Sequence, residues 1–347
     1  MPIKLLKKLF IWASLATVIA ISVLVIQFLR FQYETVSISD SERTFTIESG
    51  SNIKTIAQQL SLEKIIDDPW LFILLAKLKG VETSVRAGEY QLQQAQSPSD
   101  LLELFTKGQS IQYSFTIIEG RTFRQMMQEL QHHPIIINTL EGKSDAEIMA
   151  AIGFQDQHPE GLFYPDTYSF PKGTNDIEFL QRAYHLMQKH LQREWDDRAP
   201  NLPITTSYDA LILASIIEKE TGVAYERPLI ASVFIQRLRK NMRLQTDPTV
   251  IYGLGETFDG DIRFRDLKKD TPYNTYLHKG LTPTPIALPG LDAIRAALHP
   301  ADSKALFFVA KGDGTHYFSD TLKEHNNAVS KYQLKGKKPK RKSTTGQ

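Results

Sequence analysis

Thr206-Ser207-Tyr208-Asp209-Ala210-Leu211-Ile212-Leu213-Ala214-Ser215-Ile216-Ile217-Glu218-Lys219-Glu220-Thr221-Gly222 is the stretch on which the reading of this chain turns. Thr206 and Asp209 stand at capping-box spacing, where an N-cap hydroxyl and a third-residue side chain satisfy each other's backbone N–H groups. Ala210–Ile217 is apolar except for Ser215. A helix this apolar is buried on most of its faces. Gly222 marks its C-terminal stop.

The last turn of that helix carries two carboxyl groups. Burial disfavours the charged form, raises the pKa and keeps a proton available, which is what a general acid for a glycosidic oxygen requires. Glu218 follows Ala214 and Ser215 by one turn and Leu211 by two, so it projects from a stripe of small and apolar side chains. Glu220 follows Leu213 and Ile216 and has a similar claim. Two residues apart on a helix lie about 200° apart, so the two carboxyls meet different surroundings.

Toward the C-terminus, Pro228 opens a helix over 229–242 with Ile230, Val233, Phe234, Arg237 and Leu238 along one side. Residues 242–253 read as a short connecting segment holding Gln245, Asp247, Thr249 and Tyr252. Pro272-Tyr273-Asn274-Thr275-Tyr276 follows, then a proline-rich wall over 280–290 with little regular structure. Residues 306–310 and 315–318 flank Lys311-Gly312-Asp313-Gly314 as a β-hairpin, and a last helix carries Glu324-His325-Asn326. His316, His325, Asp313 and Asp320 match no metal-ligand spacing, so neither metal nor cofactor is expected.

Toward the N-terminus, a polar helix covers 177–193. Before it, Glu160-Gly161-Leu162-Phe163-Tyr164-Pro165-Asp166-Thr167-Tyr168-Ser169-Phe170-Pro171 is a proline-bounded loop dense in aromatics and hydroxyls. Such a loop suits stacking on sugar rings and equally suits packing over a core edge. A short helix covers 144–153. Two stretches resemble each other at an offset of 70 residues: Phe45-Thr46-Ile47 with Phe115-Thr116-Ile117, Gly50 with Gly120, and Ile53, Ile56, Ala57 and Leu60 with Phe123, Met126, Met127 and Leu130. Each reads as strand, glycine turn and amphipathic helix. The first copy continues through a second helix, Trp70–Leu78, with Asp68 as N-cap and Pro69 at its first position. Apolar but too short to span a bilayer, this segment reads as a buried helix. A strand at 87–92 and a helix begun by Ser99 complete a β-α-α-β layout resembling the LysM-type modules that bind N-acetylglucosamine polymers.

Leu9–Leu29 contains no charged residue and is long enough as a helix to cross a bilayer core of about 30 Å. Lys4, Lys7 and Lys8 precede it and only Arg30 follows closely, so the positive-inside bias holds the N-terminus in the cytoplasm and sends the remainder across. The chain has 347 residues and no cysteine, which excludes disulfides, thiolate metal sites and a cysteine nucleophile. Of its 41 Lys and Arg, ten lie in 1–30 and 335–347, which hold no acid; the body between keeps 31 against 39 Asp and Glu. An acidic body argues against a nucleic-acid partner.

Four motifs occur in order: Glu218-Lys219-Glu220-Thr221; Leu244-Gln245-Thr246-Asp247-Pro248-Thr249-Val250-Ile251-Tyr252-Gly253; Tyr273-Asn274-Thr275-Tyr276; and His325-Asn326. Together they resemble the YceG-like endolytic murein transglycosylases, over nearly the whole chain. The resemblance implies a single-pass inner-membrane enzyme that cuts peptidoglycan glycan strands internally, with Glu218, the first glutamate of its motif, as catalytic residue. It implies glycan strands as substrate, with penicillin-binding proteins or other wall-synthesis proteins as partners. Gln245, Asp247, Tyr273 and Asn274, with Asp166, Glu160, Tyr252 and Asn326, are the candidates for holding the sugar. The expected organisation is α+β: a cytoplasmic N-terminus (1–8), a transmembrane helix (9–29), a linker (30–43), a LysM-like module (44–108), a mixed α/β catalytic domain (109–334, with 109–143 a second repeat-like subdomain) and a basic disordered tail (335–347). Two other readings stand beside this one. One is a non-catalytic wall-binding scaffold; the other is a muramidase hydrolase using Asp247 or Asp166 as a second carboxylate.

Overall fold

A computed structural model describes residues 3–36 and 43–334. The expected basic tail lies outside these residues, as do positions 37–42 of the expected linker. The chain divides into two compact units. One comprises 1–114, 135–137 and 169–174; the other comprises 115–134, 138–168 and 175–347.

The first unit opens with helix α1 (Ile3–Tyr33). Within it Lys7–Tyr33 is long and apolar enough to cross a membrane, and the most apolar part of that stretch is not buried by protein. The unit continues with β1 (Thr44–Ile47), α2 (Ile53–Leu62), α3 (Pro69–Leu78), β2 (Gly88–Gln91), α4 (Pro98–Lys107) and the start of β3 (Gln112–Thr116). β1 and β2 pair antiparallel with Phe45 opposite Tyr90. Both rings reach Phe105 of α4 at 5.6 and 4.9 Å, and Phe72 and Leu75 of α3 close the core below them. The helix expected to begin at Ser99 begins at Pro98, because Ser97 and Asp100 form its capping box. Asp68 caps α3, accepting from the Trp70 and Leu71 N–H groups. The expectation that α3 is buried needs correction: Phe72, Leu75 and Ala76 are covered, while Trp70 is 74%, Leu74 43% and Leu78 68% exposed.

The second unit holds α5 (Phe123–Gln131), α6 (Asp145–Ala151), the start of β4 (Thr167–Pro171), α7 (Asp176–Asp196), α8 (Ser207–Glu220), α9 (Arg227–Arg239), α10 (Asp247–Leu254), α11 (Leu291–Leu298), the hairpin β5 (Phe307–Ala310) and β6 (His316–Ser319), and α12 (Leu322–Tyr332). β3 pairs with β4, and the chain passes between the units along these strands. The Thr206–Asp209 capping box forms, and every residue of Ala210–Ile217 is buried. α7, α9, α10 and α11 surround α8. The helix stops at Glu220, where Thr221 turns to extended backbone, one residue before the glycine expected to end it.

The proline-rich wall seals the remaining side of α8. Ile286, Ala287 and Leu288 are buried, and the Ser215 hydroxyl, the one polar group in the apolar run, accepts from the Ile286 N–H at 2.9 Å. Gly161 sits at φ +82 with its α-carbon against Pro285; a β-carbon there would lie 2.5 Å from the proline ring. The segment over 242–253, expected to be a connection, is in fact mostly α10: Pro248 occupies its first turn, where the missing N–H costs nothing. β5 and β6 pair in register Phe308 to Phe318, and α12 packs on both.

Candidate active site

α8 delivers its two terminal glutamates to different places. Glu218 turns toward α9 and the loop before α11. Its Oε2 accepts from the Gly290 N–H at 3.1 Å and its Oε1 faces Arg227 Nη2 at 3.5 Å. Its side chain is 7% exposed. A β-carbon on Gly290 would fall 2.0 Å from Glu119 Oε1, so a larger residue here would push the Glu119 carboxylate aside. Burial raises the Glu218 pKa; the Gly290 N–H and Arg227 pull it down, and the Glu119 carboxylate pushes it up.

Glu220 leaves the opposite side of the helix and lines a cavity of about 500 Å³. α9, the start of α10, the β5–β6 hairpin and α12 supply the rest of the wall. Gln245, Thr246, Asp247, Tyr276, His316, His325 and Asn326 provide polar groups; Phe307, Phe308 and Val309 provide an apolar face. Burial raises the Glu220 pKa, a hydrogen bond from the Thr246 hydroxyl opposes the rise, and the Asp247 charge adds to it.

The two motifs Gln245-Thr246-Asp247 and Tyr273-Asn274-Thr275-Tyr276 hold each other in place. The Gln245 N–H donates to the Thr275 carbonyl at 3.2 Å and the Thr246 N–H to the Thr275 hydroxyl at 3.1 Å. Thr249 Oγ1 joins Thr275 Oγ1 at 2.8 Å. This clamp keeps Gln245 at φ +50, a left-handed conformation costing an L-residue roughly 1–2 kcal/mol. Tyr276 then donates its hydroxyl to Asp247 Oδ1 at 2.6 Å. Arg237 ties the cavity wall together from α9, donating to the Leu306 carbonyl at 2.7 Å and to the Leu244 carbonyl, with its guanidinium 5.4 Å from the Phe307 ring centre. Glu226, 2% exposed, accepts from the His316 backbone N–H at 2.8 Å and meets its ring Nδ1 at 2.7 Å. His325 stacks on Phe307 at 5.2 Å, its buried Nδ1 has no partner, and burial lowers its pKa.

Of the sugar-holding candidates, Gln245, Asp247 and Asn326 line the cavity with Glu220. Glu218 is not among its lining residues. Asn274 is fully buried: its amide donates to the Leu267 and Lys269 carbonyls and its oxygen accepts from the Tyr276 N–H, so its polar groups fix the loop. Tyr273, Tyr252 and Glu160 form a second cluster. Tyr273 meets the Thr284 hydroxyl at 2.9 Å and the Tyr252 ring at 4.8 Å; Tyr252 donates to Glu160 Oε2 at 3.1 Å; and Glu160 Oε1 accepts from Phe123 N–H at 2.9 Å. Burial pushes the Glu160 carboxyl up to about 7. Asp166 is exposed and accepts from its neighbour Thr167 N–H, as a turn residue does. Thr246, Tyr276, Arg237, His316 and His325 were missed as cavity residues. Arg237 had a visible signal, a charge inside an apolar helical stripe. No group of His, Asp and Glu suited to a metal occurs among the described residues.

An acid held at the wall of a polar cleft, on an α+β scaffold, defines the class of site. The YceG-like family profile matches residues 45–331, and the chain belongs to that family. It is 32% identical over 312 residues to a Bacillus subtilis protein named endolytic murein transglycosylase, covering 84% of this chain and 86% of that one. A Streptococcus pneumoniae protein of the same name is 28% identical over 83% of this chain, which spans only 58% of the pneumococcal protein's length. Transglycosylases of this kind are lyases acting on peptidoglycan. The crystal structure of a yceG-like protein from Listeria monocytogenes is similar with a TM-score of 0.54 and 31% identity, covering 83% of this chain and 99% of that one.

Proposed function

We propose that the chain is a membrane-anchored endolytic peptidoglycan lytic transglycosylase whose acid and base is Glu218. The observation that carries this reading is a carboxyl raised by burial at the end of α8, in the motif that the family resemblance marks as catalytic. Protonated Glu218 donates to the oxygen between N-acetylmuramic acid and N-acetylglucosamine. The carboxylate left behind, stabilised by the Gly290 N–H and Arg227, takes the proton of the C6 hydroxyl on the same muramyl ring. That oxygen closes on C1, giving a 1,6-anhydro end with no water consumed. An intramolecular nucleophile is favoured by its high effective concentration. Gln245, Asp247 and Asn326 hold the sugar, and Tyr276 positions Asp247.

Glu220, the second glutamate of the motif, is the alternative acid: burial raises it too, and it shares a cavity with Gln245, Asp247 and Asn326. The names of the relatives support the substrate and the reaction. Lys4, Lys7 and Lys8 at the start of α1 support an inner-membrane anchor with the bulk outside the cytoplasm. That placement suits trimming of nascent strands beside penicillin-binding proteins, with a LysM-like first unit gripping the strand. A second reading, hydrolysis by a muramidase, has one observation in its favour: Asp247 shares the cavity and supplies a second carboxylate.

Purified full-length protein incubated with glycan strands decides these points. Internal cuts with 1,6-anhydro ends, which borohydride leaves unreduced, are expected; reducible muramic acid ends as main product would establish the hydrolase. No cleavage at all would leave a wall-binding scaffold. Deleting 44–108 should weaken strand binding more than it changes the bond cut.

A further inference from the structure

α3 is apolar around nearly its whole circumference, yet protein covers only half of it. Trp70, Leu74 and Leu78 recur at four-residue spacing on the open side, with Lys77 between them as the sole charge. Leu62, at the end of α2, is 84% exposed. α3 also lies beside α1: the two helices are in contact, and Phe28, Phe31 and Val36 pack against the core that Phe72 and Leu75 of α3 help to build. The Val36 N–H donates to the Gln96 carbonyl at 2.8 Å, so the chain leaving α1 is fastened to the same unit.

Position along α1 then sets the depth. About 20 residues cross a hydrocarbon core of about 30 Å. Counted from Leu9, just after Lys7 and Lys8, the crossing ends near Phe28, where the packing with the first unit begins. A helix held against α1 at that level lies where the bilayer meets water. Tryptophan and leucine side chains with flanking lysines are the residues that settle in that layer.

We infer that the open face of α3, formed by Trp70, Leu74 and Leu78 with Leu62 nearby, is seated in the lipid surface on the side where α1 emerges, so that the first unit is held against the bilayer. The inference rests on the reading of α1 as a membrane span. Lys64, Lys77 and Lys79 near this face are offset by Asp67 and Asp68, so the contact is chiefly apolar and should be insensitive to salt.

The natural absence of cysteine allows a direct test. Full-length protein carrying a single nitroxide at Ile19→Cys, Leu74→Cys, Leu78→Cys or Lys189→Cys is reconstituted into vesicles of phosphatidylethanolamine and phosphatidylglycerol. Collision with oxygen, which concentrates in lipid, is compared with collision with a water-soluble nickel chelate. Probes at 74 and 78 should show several-fold less nickel collision than the exposed probe at 189, with oxygen collision raised. Adding Trp70→Glu should return the Leu78 probe toward the value at 189. A deep probe at 19 with watery probes at 74 and 78 would overturn the inference and leave the membrane span intact. Low collision with both reagents at 74 and 78 would mean a protein partner on this face, and would also overturn it. A watery probe at 19 would remove the span on which the inference stands.

Discussion

α8 and α3 each carry a long apolar run, Ala210–Ile217 broken only by Ser215 and Trp70–Ala76 unbroken, and their surroundings differ completely. α8 is enclosed by α7, α9, α10, α11 and the proline-rich wall, with every residue from Ala210 to Ile217 covered. α3 leaves Trp70, Leu74 and Leu78 open. An apolar face states only that water is unfavourable there. In α8 other protein segments exclude the water, and they do so tightly enough to hold two terminal carboxyls in separate, fixed environments. On the open face of α3 none of the described residues does so.

The largest expected effect breaks the symmetry at the end of α8. Glu218→Gln should lower strand cleavage by about 10²–10⁴-fold, as loss of a general acid does, with unchanged circular dichroism and thermal midpoint. Glu220→Gln should lose much less activity. Equal losses of activity from the two variants would sink the assignment to Glu218.

Next comes the packing itself. Leu213→Ala, in the enclosed part of α8, should destabilise by about 2–5 kcal/mol in urea unfolding. A cost under about 1 kcal/mol would show that the cavity relaxes and that α8 is less tightly enclosed than its burial indicates.

Glu160 supplies a pH-dependent comparison within the same unit. Its folded pKa of about 7 lies above the ordinary carboxyl value of 4.5. The folded state therefore binds more protons than the unfolded state between these values, and stability falls as pH rises through that window. At pH 8 the penalty for the charged carboxylate reaches about 3 kcal/mol, so Glu160→Gln should gain stability relative to the parent at pH 8 and not at pH 4. Parallel stability–pH curves for the two proteins would refute the buried, protonated Glu160.

The smallest effect belongs to α3. Leu74→Ala in detergent should change stability by no more than about 0.5 kcal/mol, as exposed substitutions do. A cost near that of Leu213→Ala would mean that Leu74 packs on protein and that the contrast between the helices is false.

The capping signals at Thr206, Asp68 and Ser97, the glycine turns and the amphipathic periods of α2 and α5 are short-range features. Each depends on residues within four positions of one another, so most elements were legible in the linear chain, although Ser97 rather than Ser99 starts α4. The helix over 247–254 was missed because its first turn carries Asp247 and Pro248 directly after the left-handed Gln245, a conformation that only the clamp to Thr275 sustains. Apolar content and charge bias alone determined the membrane-span candidate, the buried course of α8 and the presence of two competing glutamates at its end. The 200° between those glutamates was also known in advance, from helix geometry. What each of the two meets was decided by segments far away in sequence: Gly290 and Arg227 on one side, Thr246, Tyr276 and His316 on the other. A side chain's direction from its own helix is local physics, but what stands in that direction is set by the packing of the whole unit. The same holds for α3, whose sequence demanded cover on all sides and whose fold provided it on only one.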